Sequence, residues 1–395
     1  MSAGLPSSIL IPMWRRIPWL VVSTGFIGLL SACGGSSGGV SPPPPPPPPV
    51  QETRSYELGF TPWPYDATVD AVNFVYSEAA MRGDFIAHHL DGGIPWQEAL
   101  DGTPYPVDVE NELAGRLANT PPGMRSYLAL SPLDGGRAGL AEYWGVSTNQ
   151  PLPAPWVTRS FDDPNVITAF TNFSADLIQR FDPEYFNLGI EVSELAVNDA
   201  VAFDQLVVFT TAVVNDLRVQ FPSLKLMVSV ALKSPGSAEA AIINSQMPQL
   251  IQLVDAVGVS VYPYVFFDHA DKGDPANLPA NWLSQIQTLA GNKEIAIAET
   301  GWIAERLTIP FFGVDVDSNA DMQAAYLDVL FSAAETLDAQ FIVWFALVDF
   351  DALWNGVLGQ DPVAHIWRDI GLYDENLNPR PALDIWQAKL GQPVE

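Results

Sequence analysis

The chain has 395 residues, 48% of them hydrophobic, and a mean hydropathy of +0.12, so it can bury a large core and disorder throughout is excluded. Lys and Arg total 18 against 46 Asp and Glu, a net charge of −28 whose field repels nucleic acid and polyanionic sugars and leaves neutral ligands open. With Cys33 as its single cysteine, the chain forms no intramolecular disulfide and no multi-cysteine zinc site.

Arg15 and Arg16 precede an apolar run, Ile17 to Leu30, whose 14 residues are short for a bilayer span and suit the hydrophobic region of a secretory signal. The next residues, Leu30-Ser31-Ala32-Cys33, resemble the lipobox of bacterial lipoproteins. That resemblance implies a signal peptide over 1–32 and a diacylated Cys33 anchoring the chain in a bacterial cell envelope. With Gly34 after the cysteine, it implies the outer membrane. Residues 33–50 read as a linker: a Gly/Ser stretch, then Pro42 to Pro49. Eight prolines at ~3.1 Å each form a polyproline II rod of roughly 25 Å.

From 51 to 395 no low-complexity break or internal repeat appears, and short apolar runs alternate with helical patterns. The runs are Tyr56 to Thr61, Asp84 to His89, Arg125 to Ser131, Tyr185 to Glu191, Leu224 to Val230, Ala256 to Tyr262, Glu294 to Glu299 and Phe341 to Leu347. Eight strands alternating with helices predict an α/β fold, a (β/α)8 TIM barrel in a single catalytic domain. Asp163 and Pro164 predict the cap and first turn of a helix with Val166, Phe170, Phe173, Leu177 and Phe181 on one face; Pro183 stops it. A second stripe runs from Phe203 through Leu206, Thr210, Val213 and Leu217 to Phe221, stopped by Pro222, and Gln323 to Leu337 gives a third. Connections after strands are long and rich in Pro, Gly and aromatics, as in Ser131 to Phe161, Pro263 to Pro279 and Asp349 to Asp361. In such a barrel they share the face where active sites sit.

Two carboxylates end strands on that face, Glu191 and Glu299. Burying two acids at an apolar mouth is costly, so the pair has either a task or cationic partners. If the two face each other, one serves as general acid and the other as nucleophile, as in retaining glycosidases. The alternative is a solvated or salt-bridged strand end.

The motif Ala298-Glu299-Thr300-Gly301-Trp302 and the placement of Glu191 on the fourth run make the chain resemble clan-A (β/α)8 glycoside hydrolases, in particular the endo-β-1,4-galactanase (arabinogalactanase-like) family. Gly258-Val259-Ser260-Val261-Tyr262-Pro263-Tyr264 resembles the family's sixth-strand motif, and the segment from Gly371 to Leu383 resembles its C-terminal stretch. The resemblance implies Glu191 as acid/base, Glu299 as nucleophile, Tyr262 hydrogen-bonded to it, and Trp344 as an aromatic floor under the sugar, with Tyr264 and Trp302 in substrate-binding positions. One departure is Ile190, where the family carries an asparagine that binds the sugar 2-hydroxyl; His88, His89 and Asn187 are the polar candidates to replace it.

Post-strand Trp63, Tyr65, Asp66, His88 and His89 are further substrate-binding candidates, because aromatic faces stack on sugar rings and polar groups bond their hydroxyls. Trp96 reads equally as groove lining or loop packing. Adjacent histidines on a strand point to opposite faces, so His88 and His89 cannot readily grip one ion. No metal and no cofactor is expected. The sequence thus predicts a monomeric, membrane-anchored retaining β-glycoside hydrolase acting on a neutral β-linked oligo- or polysaccharide. Its rival is a lipid-anchored glycan-binding protein with a degenerate hydrolase site, for which Ile190 is the best argument. A cell-envelope remodelling enzyme is a third reading.

Overall fold

Every one of the eight apolar runs carries a strand. In the computed structural model, which describes residues 52–395, strands β1 (Glu57–Phe60), β2 (Phe85–Leu90), β3 (Arg125–Leu130), β4 (Tyr185–Asn187), β5 (Lys225–Ala231), β6 (Ala256–Val261) and β7 (Glu294–Thr300) are followed by a small antiparallel ribbon, β8 (Leu307–Ile309) and β9 (Val314–Val316), and then by β10 (Phe341–Trp344). The ribbon apart, neighbouring strands pair in parallel, and β10 returns to β1 to close an eight-stranded barrel. The chain therefore has the (β/α)8 TIM-barrel fold. The signal segment, Cys33 and the proline linker lie outside the described residues.

Alternation along the strands creates two cores. Phe85, Ala87, Tyr127, Ala129, Tyr185, Met227, Ala256, Ala296, Ala298, Phe341 and Val343 fill the barrel interior, while residues of opposite parity, such as Ile86, Leu128, Phe186, Val228, Val257 and Ile342, pack against the helices. Phe85, Tyr185 and Phe341 open their strands, and the three rings meet at 5.2–5.3 Å to plug the barrel floor. Small residues above them leave little slack: a Cβ on Gly258 would lie 2.8 Å from Met227 Cε and 2.9 Å from Ala298 Cβ.

The helices form where the capping signals stand. Asp163 accepts from Asn165 N at 2.8 Å and starts Pro164–Phe181, which buries Val166, Phe170, Phe173 and Leu177; each such side chain contributes about 1.5–3 kcal/mol. Asp199 caps Ala200–Gln220 in the same way, and Asn319 caps Ala320–Leu337.

The segment ahead of β1 and residues 392–395 meet at the barrel floor. Arg54 N donates to Pro393 O (2.9 Å), Glu395 N donates to Arg54 O (3.0 Å), and the buried Arg54 guanidinium pairs with Asp84 at 2.7 Å.

Candidate active site

Two breaks in strand regularity build the mouth. The fourth run was expected to be a strand to Glu191, but β4 ends at Asn187. Beyond it Leu188 N still donates to Met227 O and Ser229 N to Gly189 O, but Glu191 N donates to the hydroxyl of Ser229 at 2.9 Å, and Glu191 sits at φ +52°. A non-glycine residue in the left-handed region costs about 1–2 kcal/mol, and such strain collects at functional sites. The second break is in β7. Ile297 and Thr300 both face the helices, and the two residues between them span one fewer step on β6 and on β10. This bulge turns Glu299, as well as Ala298, toward the barrel axis.

Ser260 lies next to both carboxylates, bonding one and pairing by backbone with the other. Ser260, the β6 partner of Glu299, donates to Glu191 Oε1 at 2.7 Å. On the other side of Glu191, Arg137 Nη2 and Nε lie 3.3 and 3.4 Å from Oε2. Arg137 comes from the long loop after β3 and is bound more tightly by Asp91, at 2.7 and 3.0 Å. Glu299 receives the Tyr262 hydroxyl on Oε1 (2.6 Å) and His89 Nδ1 on Oε2 (3.2 Å). Burial pushes the Glu299 carboxyl up, but His89, Tyr262 and Arg137 outweigh it and hold it below the ordinary carboxylate value. Burial likewise depresses His89, and the bond and charge of Glu299 reverse this, leaving His89 raised. Tyr262 is pushed well up, first by burial and then by Glu299, so it stays a neutral donor. The arrangement holds Glu299 toward its charged form and binds Glu191 through a hydroxyl and a guanidinium.

Of the substrate-binding candidates, His89 and Tyr262 reach the carboxylates. His88 has the opposite parity, faces the helices, packs at a tilt on Phe181 at 4.8 Å and meets Thr120 Oγ1 at 3.2 Å, so it is not in the mouth. Three aromatic assignments also need correction, because all are buried outside the barrel. Trp344 donates to Ile370 O and packs on Tyr326 and Trp386; Trp302 stacks on Tyr326 at 4.6 Å and donates to Ser318; Tyr264 donates to Ile366 O. None presents a face to a sugar. Phe345, the residue after β10, packs edge-on to Trp63 at 5.8 Å. Trp63 is itself buried against Phe345 and Phe350. Tyr65 and Asp66 are half-buried on the loop after β1, Tyr65 against Phe74 and Asp66 accepting from Ala67 N. Trp96 is core, stacked on Trp156.

Ile190 is buried in the barrel interior. Among its proposed replacements, Asn187 is committed to Tyr127 OH (2.9 Å) and Gly189 N (3.1 Å), which leaves His89 at the mouth. Glu194 is buried in the first turn of a short helix and pairs with Lys233, a structural couple. Asp349, Asp351 and Asp369 cluster near the end of β10, where Arg380 approaches Asp349 and Arg368 approaches Asp369, each at 2.6 Å.

The sequence reading missed Arg137, Ser260, Ser229 and Phe345. Ser260 was accessible by parity, since Gly258, Ser260 and Tyr262 share the inward face. Arg137 carried a weaker signal: an arginine enclosed by Gly135, Gly136 and Gly139 in a post-strand loop.

The described residues thus form a closed eight-stranded parallel barrel with Glu191 beyond its fourth strand and Glu299 on its seventh. Among solved structures the chain is similar to the exo-β-1,4-mannosidase Op5Man5 of Opitutaceae bacterium strain TAV5, with a TM-score of 0.57 and 15% identity over 85% of this chain and 59% of that one. It also matches β-glucuronidases from Bacteroides uniformis (TM-score 0.49, 12% identity, 86% of this chain and 37% of that one) and Dictyoglomus thermophilum (0.47, 13%, 80% and 46%). The chain thus spans about three fifths of the mannosidase and less than half of either glucuronidase. No family model and no curated protein matches the sequence.

Proposed function

We propose that the protein is a retaining β-glycoside hydrolase that cleaves a neutral glycan by double displacement. The observation that carries this reading is the Ser260 link, which joins a carboxylate beyond β4 to the strand partner of a carboxylate on β7. The mechanism needs carboxyl groups about 5 to 5.5 Å apart, and a shared serine neighbour favours that spacing. In the first step a Glu299 oxygen bonds to the anomeric carbon as the glycosidic C–O bond breaks, and the Glu191 proton passes to the leaving oxygen. In the second, Glu191 takes a proton from water, the water oxygen bonds to the anomeric carbon, and Glu299 departs as a carboxylate. His89 and Tyr262 keep Glu299 charged and aimed.

Neutral substrate is favoured by the charge balance. Arg137 is matched by Asp91 and Glu191, His89 by Glu299 and Lys233 by Glu194, so the cations around the mouth are already committed. An anionic sugar would also meet the net charge of −28. The galactanase-like sequence features favour a β-galactan, and the lipobox-like Leu30-Ser31-Ala32-Cys33 supports an anchor at Cys33 on the bacterial outer membrane; we read the enzyme as a monomer.

The test is hydrolysis of neutral β-glycans and aryl β-glycosides beside Glu191→Gln and Glu299→Gln. Turnover lost in both variants supports the reading, with azide restoring Glu191→Ala as a β-glycosyl azide. Sugar binding without turnover by the wild type would overturn it in favour of a glycan-binding protein, with Ile190 as the reason. Release of membrane association by Cys33→Ala tests the anchor.

A further inference from the structure

We propose that Arg137, gripped by Asp91, is the positioning residue for the acid/base carboxylate Glu191; this rests on the hydrolase reading above. Glu191 stands four residues past the last residue of β4, and its φ of +52° takes it out of the extended backbone that would aim its side chain. Its orientation depends on three side chains: Ser229 on its N–H, Ser260 on Oε1 and Arg137 on Oε2.

Arg137 is itself built into place. Its loop turns on Asp134, which accepts Ala138 N at 2.8 Å through its carboxylate and Arg137 N at 2.9 Å through its carbonyl. Arg137 sits at φ +53°, its own carbonyl accepts from Asn198 Nδ2 at 3.4 Å, and the residue is 3% exposed. Asp91 takes both terminal nitrogens at 2.7 and 3.0 Å, whereas the contacts to Glu191 are 3.3 and 3.4 Å. The guanidinium is fixed by Asp91 and holds Glu191 loosely. That combination orients an acid that must turn one oxygen to a substrate. The planar fork suits this double task, and a lysine ammonium would not.

The other polar and charged groups near Glu191 are committed elsewhere. His89 on β2 and Tyr262 after β6 serve Glu299 on β7, and Lys233 beyond β5 serves Glu194 on the helix that follows Glu191. Arg137 is the cation that bonds Glu191.

Leaving-group dependence separates a residue acting through the acid from one that merely supports the fold. A dinitrophenyl leaving group needs no proton, whereas phenol does. The experiment measures the full chain, Arg137→Ala, Arg137→Lys, Asp91→Asn and Glu191→Gln on paired phenyl and dinitrophenyl β-glucosides, β-galactosides and β-mannosides. Arg137→Ala should lose about 100-fold in kcat/KM on the phenyl glycoside, on the low side of general-acid contributions, while its dinitrophenyl burst stays within about threefold of wild type. Added guanidinium should restore phenyl glycoside turnover in that variant, and Arg137→Lys should remain impaired. Equal losses on both leaving groups, or wild-type activity in a folded Arg137→Ala, would overturn the inference. Unimpaired phenyl glycoside hydrolysis by Glu191→Gln would instead overturn the hydrolase reading. Should Arg137→Ala fail to fold, Asp91→Asn must show the same selective loss or the inference falls.

Discussion

His89 and Glu299 form a charge pair whose worth can be read without any substrate. Their contact is 3.2 Å, with side chains 16% and 19% exposed. At an effective dielectric of about 20 the Coulomb attraction at that distance is about 5 kcal/mol, and desolvation of two mostly buried charges removes roughly half, leaving about 2 kcal/mol. His89→Asn keeps an amide N–H where Nδ1 stands and deletes the charge. The pH dependence has a definite sign on each side. His89 is raised by Glu299, so its contribution is fully present below its ordinary value of 6.5 and is lost as pH rises through the higher folded value. Glu299 is lowered, so its contribution is present above 4.5 and lost as pH falls through the lower folded value. Denaturant unfolding of wild type and His89→Asn should therefore differ most between those limits, by about 2 kcal/mol, with the gap closing on the alkaline side. A gap that is constant from pH 5 to 9, or that widens with pH, would refute the ion-pair reasoning.

Two further outcomes follow from burial. Ile190→Asn, which would install the asparagine that the galactanase-like resemblance expects, places a carboxamide in the apolar barrel interior; it should lower stability by about 2–4 kcal/mol, seen as a fall of several degrees in Tm. Lys233→Met strands a Glu194 carboxylate whose side chain is 3% exposed, and should cost about 3 kcal/mol by denaturant unfolding at neutral pH, with the loss shrinking in acid as Glu194, already raised by burial, takes up a proton.

The barrel was legible because its evidence is repetitive: eight apolar runs, helices with Asp163 and Pro164 at a start, long loops after strands. Glu299 and Tyr262 were legible through a local motif. Other features depended on a single step of parity. Trp344 reads as a floor only if the strand's inward phase is misplaced by one residue; the inward residues of β10 are Phe341 and Val343. The β7 bulge inverts parity at Glu299, and no residue in Ile297-Ala298-Glu299-Thr300 announces it. Arg137 lay beyond reach for a different reason: its partners Asp91 and Glu191 are 46 and 54 residues away in sequence, and a loop closing on another strand's end leaves no periodic trace.

The clasp between Arg54 and Pro393–Glu395 fixes the end of the barrel at which the described chain begins. Whatever precedes residue 52 enters at the floor of the barrel, beneath the aromatic plug of Phe85, Tyr185 and Phe341, while Glu191 and Glu299 open at the far rim. A tether entering there presents the mouth outward like the open end of a cup held by its base. The length of such a tether would set the reach of that cup without turning it over.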